Sequence, residues 1–376
     1  MKIYLYLKHF PPHGDELNEG TSKAVHGLAT GLAACGADVT ILCEGAKKDE
    51  IYQTKMGYQI ASFASKSTKP SFQVSSSLQR YILSNSRPSI FIITGIFHRS
   101  VYSLSRFLKQ QSLPYIVAPH DPYHPTIFYK NAHLKWIYWY LLERPMLNQA
   151  CAVQVLDKRH AEWLHRLKIK TPIIEVPNGF SPTDVYPEST LSWHEDGVPK
   201  FLFLGRLDAY NKGLDILLNA FAQLREVPEW QLTIQGPDWG DRTTLKQQAK
   251  KLGLSQNIIF REPEYNLSPS AIIAPYDVFC IASRFEGFSL SAMEAMLAGR
   301  VLIVSDIAGI APYVQASDCG VVVKPEPEAI KSGILSLIAR RSEWKEMGLR
   351  GRKYILENLH WQKIAARAIE EYVYFQ

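Results

Sequence analysis

The chain has few cysteines, five in 376 residues, and no two of them form a Cys-x-x-Cys pair. Cys35, Cys43, Cys151, Cys280 and Cys319 are odd in number, which argues against a disulfide framework and a zinc knuckle. A reducing, cytoplasmic setting is the natural expectation. No run approaches the roughly 20 apolar residues that a spanning helix needs. The first apolar stretch stops at Lys8 and Pro11–Pro12 with no small-residue cleavage site, so a signal peptide is not expected. No Gly-x-Gly-x-x-Gly follows an expected strand, and no Walker A motif, Gly-x-Ser-x-Gly elbow or His-Glu-x-x-His helix is present. These absences weaken the dehydrogenase, nucleotide hydrolase, esterase and metalloprotease classes. No cofactor or metal ligand set stands out, and neither is expected.

Hydrophobic residues make up 46% and charged residues 21%, the balance of an ordered globular chain long enough for two cores. Short apolar runs recur at Ile3–Leu7, Ala37–Cys43, Ser89–Thr94, Tyr115–Ala118, Ala152–Leu156 and Ile173–Val176. A second series runs through Phe201–Leu204, Gln231–Ile234, Asn257–Phe260, Val278–Ala282, Val301–Val304 and Gly320–Val323. Helical periodicity separates them at Thr21–Ala34, Gly213–Arg225, Arg242–Leu252 and Pro327–Ala339. Continuous apolar strands alternating with helices predict parallel sheets covered on both faces. The polar stretch 181–199 reads as a linker between two Rossmann-like α/β domains, 1–180 and 200–360. Ligands of such sheets sit beyond the carboxyl ends of the strands, so the residues after each strand are the ones to search.

After Val278–Ala282 comes Ser283-Arg-Phe-Glu286-Gly-Phe-Ser-Leu-Ser-Ala-Met-Glu294. A helix is expected to begin near Ser289, which puts the N–H groups of Gly287, Phe288, Ser289 and Leu290 at a terminus that favours anions. Gly287 permits close backbone approach. Glu286 can accept from sugar hydroxyls and Glu294 from a ribose diol. Ser291-Ala-Met-Glu294 also fits a capping box, which needs no ligand. After Phe201–Leu204 comes Gly205-Arg206, then Lys212-Gly213 at the next helix start. Such cations can neutralise a diphosphate as it leaves, the part a metal ion plays elsewhere; two exposed cations with surface partners would look the same.

Together these motifs resemble family 4 of the retaining glycosyltransferases: Glu286 and Glu294 fit its Glu-x7-Glu pattern, and Gly205-Arg206 with Lys212-Gly213 its Gly-Arg…Lys-Gly pattern. The resemblance is tightest over 199–325. Pro11-Pro12-His13-Gly14 through Glu19-Gly20 looks like the family's first glycine-rich loop, and Ala118-Pro-His120-Asp121 like its active-site histidine segment. The resemblance implies the GT-B fold, two Rossmann-like domains with parallel sheets facing across a cleft. It implies that Trp361–Gln376 crosses back onto the first domain. His120 would lie beside the donor sugar's 6-hydroxyl, Gly20 would border the donor, and transfer would proceed with retention. The sequence departs from the family at Glu19, where a glycine is usual, at Phe180-Ser181, at Ala308-Gly309 with Tyr313, and at Arg261-Glu262-Pro263, which leaves the nucleobase open.

Residues 1–180 carry 21 Lys and Arg against 12 Asp and Glu, a surplus of nine, while 181–376 fall three short. A basic first half suits an anionic partner or is simply a solvated face. Ile127–Leu147, rich in Trp, Tyr and Lys, reads as a core helix, an acceptor surface or a contact at the inner membrane face. The expected function is retaining hexosyl transfer from a nucleotide sugar, uridine diphosphate being the usual donor of the family, to a glycan or lipid-linked acceptor in polysaccharide or glycoconjugate synthesis. A sugar-nucleotide epimerase of the same fold and a binding protein without catalysis are the alternatives. Nucleic acid is not an expected partner.

Overall fold

A computed structural model describes the chain apart from residues 15–16, 18, 65–71, 86–87 and 194–196. Parts of the expected glycine-rich loop and of the expected linker therefore lie outside the described residues. The chain forms two compact units: Met1–Gly179 with Leu359–Gln376, and Phe180–Asn358.

The first unit runs β1 (Lys2–Tyr6), α1 (Gly20–Ala34), β2 (Asp38–Ala46), β3 (Glu50–Gln53), β4 (Gln59–Ala64), α2 (Ser76–Asn85), β5 (Ser89–Thr94), α3 (Arg99–Gln110) and β6 (Tyr115–Ala118). It continues with α4 (Ala132–Tyr138), α5 (Arg144–Gln149), β7 (Ala152–Val155), α6 (Ala161–Arg166) and β8 (Ile173–Glu175). Its eight strands lie in the order β3-β4-β2-β1-β5-β6-β7-β8. All pairs are parallel except β3 with β4. Every residue of β5, Ser-Ile-Phe-Ile-Ile-Thr, is buried, because helices cover both faces of a parallel sheet. Each such Ile or Phe contributes roughly 1.5–3 kcal/mol on leaving water.

The second unit runs β9 (Lys200–Leu204), α7 (Leu214–Phe221), β10 (Gln231–Gln235), α8 (Arg242–Lys251), β11 (Ile258–Arg261), α9 (Pro269–Ile273) and β12 (Val278–Ile281). Then come α10 (Leu290–Leu297), β13 (Val301–Ser305), α11 (Ala311–Ser317), β14 (Gly320–Val323), α12 (Pro327–Ala339) and α13 (Trp344–Asn358). The six strands, β11-β10-β9-β12-β13-β14, are all parallel. Phe201 and Phe203, Cys280 and Ile303 share one core with Leu217 of α7, Leu245 of α8 and Ile334 of α12. The alternate residues Leu202, Phe279 and Leu302 are equally buried on the opposite face, where α10 packs. The stretch expected as a linker belongs to this unit. Buried Arg352 donates to the carbonyls of Tyr186 and Leu297, and Trp193 Nε1 donates to Gly299 O at 3.0 Å.

The last helix, α14 (Trp361–Val373), belongs to the first unit and packs on α1. A Cβ on Gly27 would stand 2.1 Å from the Trp361 indole nitrogen, and one on Gly31 2.6 Å from Trp361 O. Two glycines one turn apart thus make the groove that receives Trp361. Among the described residues no helix is long and apolar enough to cross a membrane.

Candidate active site

In the second unit the loops after the paired strands β9 and β12 are stapled together. Gly205 N–H donates to Gln235 O at 3.0 Å, and Arg206 follows, exposed. Asp208 then closes a turn, accepting from Asn211 N–H at 3.1 Å and Asn211 Nδ2 at 2.6 Å, while Lys212 N–H donates to Asp208 O at 3.0 Å. Gly213 takes φ +64°, and a Cβ there would stand 1.9 Å from Ala282 O. Only glycine lets the first loop lie this close to the end of β12.

From the other loop, Arg284 N–H donates to Asn211 O at 3.0 Å. The Arg284 guanidinium grips the Asp215 carboxylate through two 2.7 Å bonds and also donates to Tyr210 O at 2.9 Å. This bidentate clamp holds the two loops in register. Between them Lys212 Nζ donates to Glu286 Oε2 at 2.7 Å, and Ser283 Oγ reaches the same oxygen at 3.1 Å. The lysine and glutamate side chains retain only 18% and 11% exposure, so the pair is a part-buried charge contact at the strand ends.

Past Glu286 the backbone enters α10. Ser289 is the cap: it takes φ +73°, and its Oγ accepts from Ala292 N–H at 3.3 Å. The capping-box alternative at Ser291–Glu294 is therefore not adopted; the helix starts two residues earlier. Gly287, Phe288 and Ser289 are buried, with Leu290 half-buried at the first helical position. A Cβ on Gly309 would stand 2.3 Å from Gly287 O, which accounts for the glycine in the loop after β13. Glu294 is half-buried on α10, a turn beyond the cap. Arg206 meets an aromatic ring. Its guanidinium lies 4.2 Å from the centroid of the exposed Trp239 ring, a contact of about 0.5–1 kcal/mol that a phosphate can outbid. At the end of β11, in the segment whose departure left the nucleobase open, Arg242 pairs with Glu262 and donates to Gly236 O at 2.8 Å.

In the first unit Gly20 is the exposed first residue of α1, preceded by Glu19, whose side chain makes no cap bond. His120 follows β6 at φ +64°, a backbone state unusual for a residue with a Cβ. It lines a small pocket with Tyr123, Gln154, Leu156, His160 and Leu164. Desolvation pushes the pKa of both His120 and His160 down to about 4, so both imidazoles are neutral at pH 7. His160 is buried, and its Nε2 has no hydrogen-bond partner among the described residues. Gln154 accepts from the Tyr372 hydroxyl of α14 at 2.5 Å.

Sequence reasoning passed over Glu143. It sits at the end of a π-helical turn, Trp139–Glu143, with no exposed surface. Its Oε1 accepts from Phe97 N–H at 2.9 Å and from the Tyr123 hydroxyl at 2.7 Å. It thus joins the loop after β5 to the loop carrying His120. Burial raises its pKa to about 7, and its Oε2 has no partner among the described residues. The one available signal was an acid in an otherwise aromatic and basic run. The clamp residues Arg284 and Asp215 were also missed, although Arg284 stood inside the motif.

Two family models match the chain, Glycosyl transferase 4-like domain over residues 19–179 and Glycosyl transferases group 1 over residues 192–354. Phosphatidyl-myo-inositol mannosyltransferase of Mycobacterium leprae is 26% identical over 201 residues, 53% of each chain. GDP-mannose:cellobiosyl-diphosphopolyprenol alpha-mannosyltransferase of Xanthomonas oryzae is 28% identical over 179 residues, 46% of each. The chain spans about half the length of the curated relatives it matches. Among solved structures, sucrose-phosphate synthase of Thermosynechococcus elongatus superposes with a TM-score of 0.75 at 20% identity, covering 99% of this chain and 98% of that one.

Proposed function

We propose, because this chain belongs to family 4 of the glycosyltransferases and carries the GT-B fold, that it moves a hexose from a nucleoside diphosphate sugar to a glycan or lipid-linked acceptor. The observation that carries the reading is the Lys212–Glu286 pair at the ends of two parallel strands, beside the N-terminus of α10. Lys212 and Arg206 neutralise the diphosphate as the bond from the anomeric carbon to the phosphate oxygen breaks. The N–H groups of Gly287, Phe288, Ser289 and Leu290 add donors there, and Gly205 lets the chain approach closely. Glu286 accepts from the sugar and Glu294 from the ribose. The acceptor oxygen attacks the face the phosphate leaves, giving retention, and its proton passes to the departing phosphate. Two fixed cations serve where a metal would, so turnover needs none. Neutral His120 offers the sugar a hydrogen bond without a competing charge, and Gly20 starts the helix of the first loop.

Uridine is the base we assign from the resemblance. Guanosine is the second reading, because a relative is named for GDP-mannose. A thermal-shift screen against uridine, guanosine and adenosine diphosphate sugars separates them, since the bound donor raises the melting point by mass action. Lys212→Ala and Glu286→Gln should each slow donor-dependent transfer by at least about a hundredfold. Activity should persist in excess chelator. Near-wild-type rates in both variants would remove this site; interconversion of the free sugar nucleotide without transfer would favour an epimerase.

A further inference from the structure

The aromatic helix of the first unit divides between inside and outside at its π turn. Phe128, Trp139, Glu143, Met146 and Leu147 are buried. No residue of α4 is, and Leu134, Ile137 and Leu141 keep 59%, 57% and 68% of their surface in water. Spaced three and four apart, these three form one helical row. Tyr129 and Tyr140 are exposed beside it. An exposed aliphatic row of this kind marks a contact surface.

The charge around it is of one sign. Lys130 is exposed and Arg144 half-buried, and no acidic residue stands between Asp121 and Glu143. A second copy of the chain paired through this face by two-fold symmetry would set these cations against each other. Sugar stacking fits poorly: Trp136 is already stacked on Phe128 at 4.3 Å, and an aliphatic row offers hydroxyls no partner. An anionic lipid surface satisfies both halves of the pattern, with aliphatic side chains below the headgroups, Tyr at their level and Lys and Arg against the phosphates. We propose that the outer face of 129–144 docks in the plane of an anionic bilayer. Within the same segment, the inward side of the π turn carries Glu143, which holds the His120 loop through Tyr123.

The test is co-sedimentation of the full chain with vesicles of phosphatidylcholine alone or with 30% phosphatidylglycerol. The wild type should partition at least about tenfold better onto the anionic vesicles, with the preference falling in high salt. Ile137→Ser with Leu141→Ser should lose at least about tenfold in partition while melting like the wild type, since both sites face water. Lys130→Glu with His133→Glu should abolish the anionic preference. Wild-type partition in the serine pair would overturn the proposal. So would failure of the wild type to bind, or a wild-type dimer that the serine pair converts to monomer. Binding is read without donor or acceptor, so this outcome is independent of whether transfer is the activity.

Discussion

Glu143 titrates where few carboxylates do, and the sign of its effect can be worked out. Its folded pKa of about 7 lies above the ordinary 4.5, so the folded state holds a proton that the unfolded state has released between those values. Its stabilising effect is full below pH 4.5 and is lost as pH rises through 7, about 3 kcal/mol in all. His120 and His160 act the other way: their contribution is present above pH 6.5 and fades as pH falls toward 4. In Glu143→Gln the midpoint of urea unfolding should therefore climb more steeply between pH 5 and pH 8 than in the wild type; parallel curves would show that Glu143 does not titrate in this range. None of this was legible in the sequence, because burial of a single acid depends on which side of a helix it lands. The motif glutamates and cations were legible because they follow strands. Their pairing, with Lys212 on Glu286 and Arg206 on Trp239, was not, since it depends on how two loops distant in sequence meet.

At the scale of elements, the twelve apolar runs read as strands are all strands. The two missed, β3 and β4, were hidden for different reasons. Glu-Ile-Tyr-Gln is an exposed antiparallel edge with too few apolar residues to register, and Gln-Ile-Ala-Ser-Phe-Ala alternates small residues that weaken the β signal. The π turn has a cause in the chain: Pro145 cannot donate its missing N–H back to Leu141, and the wider turn just before it absorbs the lost bond. The joint between the β9 and β12 loops yields a prediction. Gly213→Ala should cost at least about 2 kcal/mol, because the left-handed backbone strain adds to a clash with Ala282 O. Gly253→Ala, at φ +75° with none of the described residues within 4 Å, should cost only the strain, about 1 kcal/mol. Equal midpoints in urea for the two variants would mean that the loops can part without penalty.

At the scale of the whole molecule, the first unit is assembled from two separated pieces of chain. Trp361 is 6% exposed and fills the groove made by Gly27 and Gly31. Trp361→Ala should destabilise the first unit by about 3–5 kcal/mol and speed hydrogen exchange along α1, leaving the second unit's exchange unchanged. Uniform acceleration through both would contradict the packing described.

The path of the chain has a consequence for how it is made. Gly179 leaves the first unit against the carbonyl of Leu359, where the chain returns; a Cβ would come within 2.6 Å of that oxygen. A ribosome that has delivered residues 1–179 has delivered a body still missing its closing helix, with the α1 groove bare. It stays bare while the next 179 residues emerge and fold. Vectorial synthesis thus builds in a waiting period, during which the nascent N-terminal body is a natural client for a chaperone that shields apolar grooves.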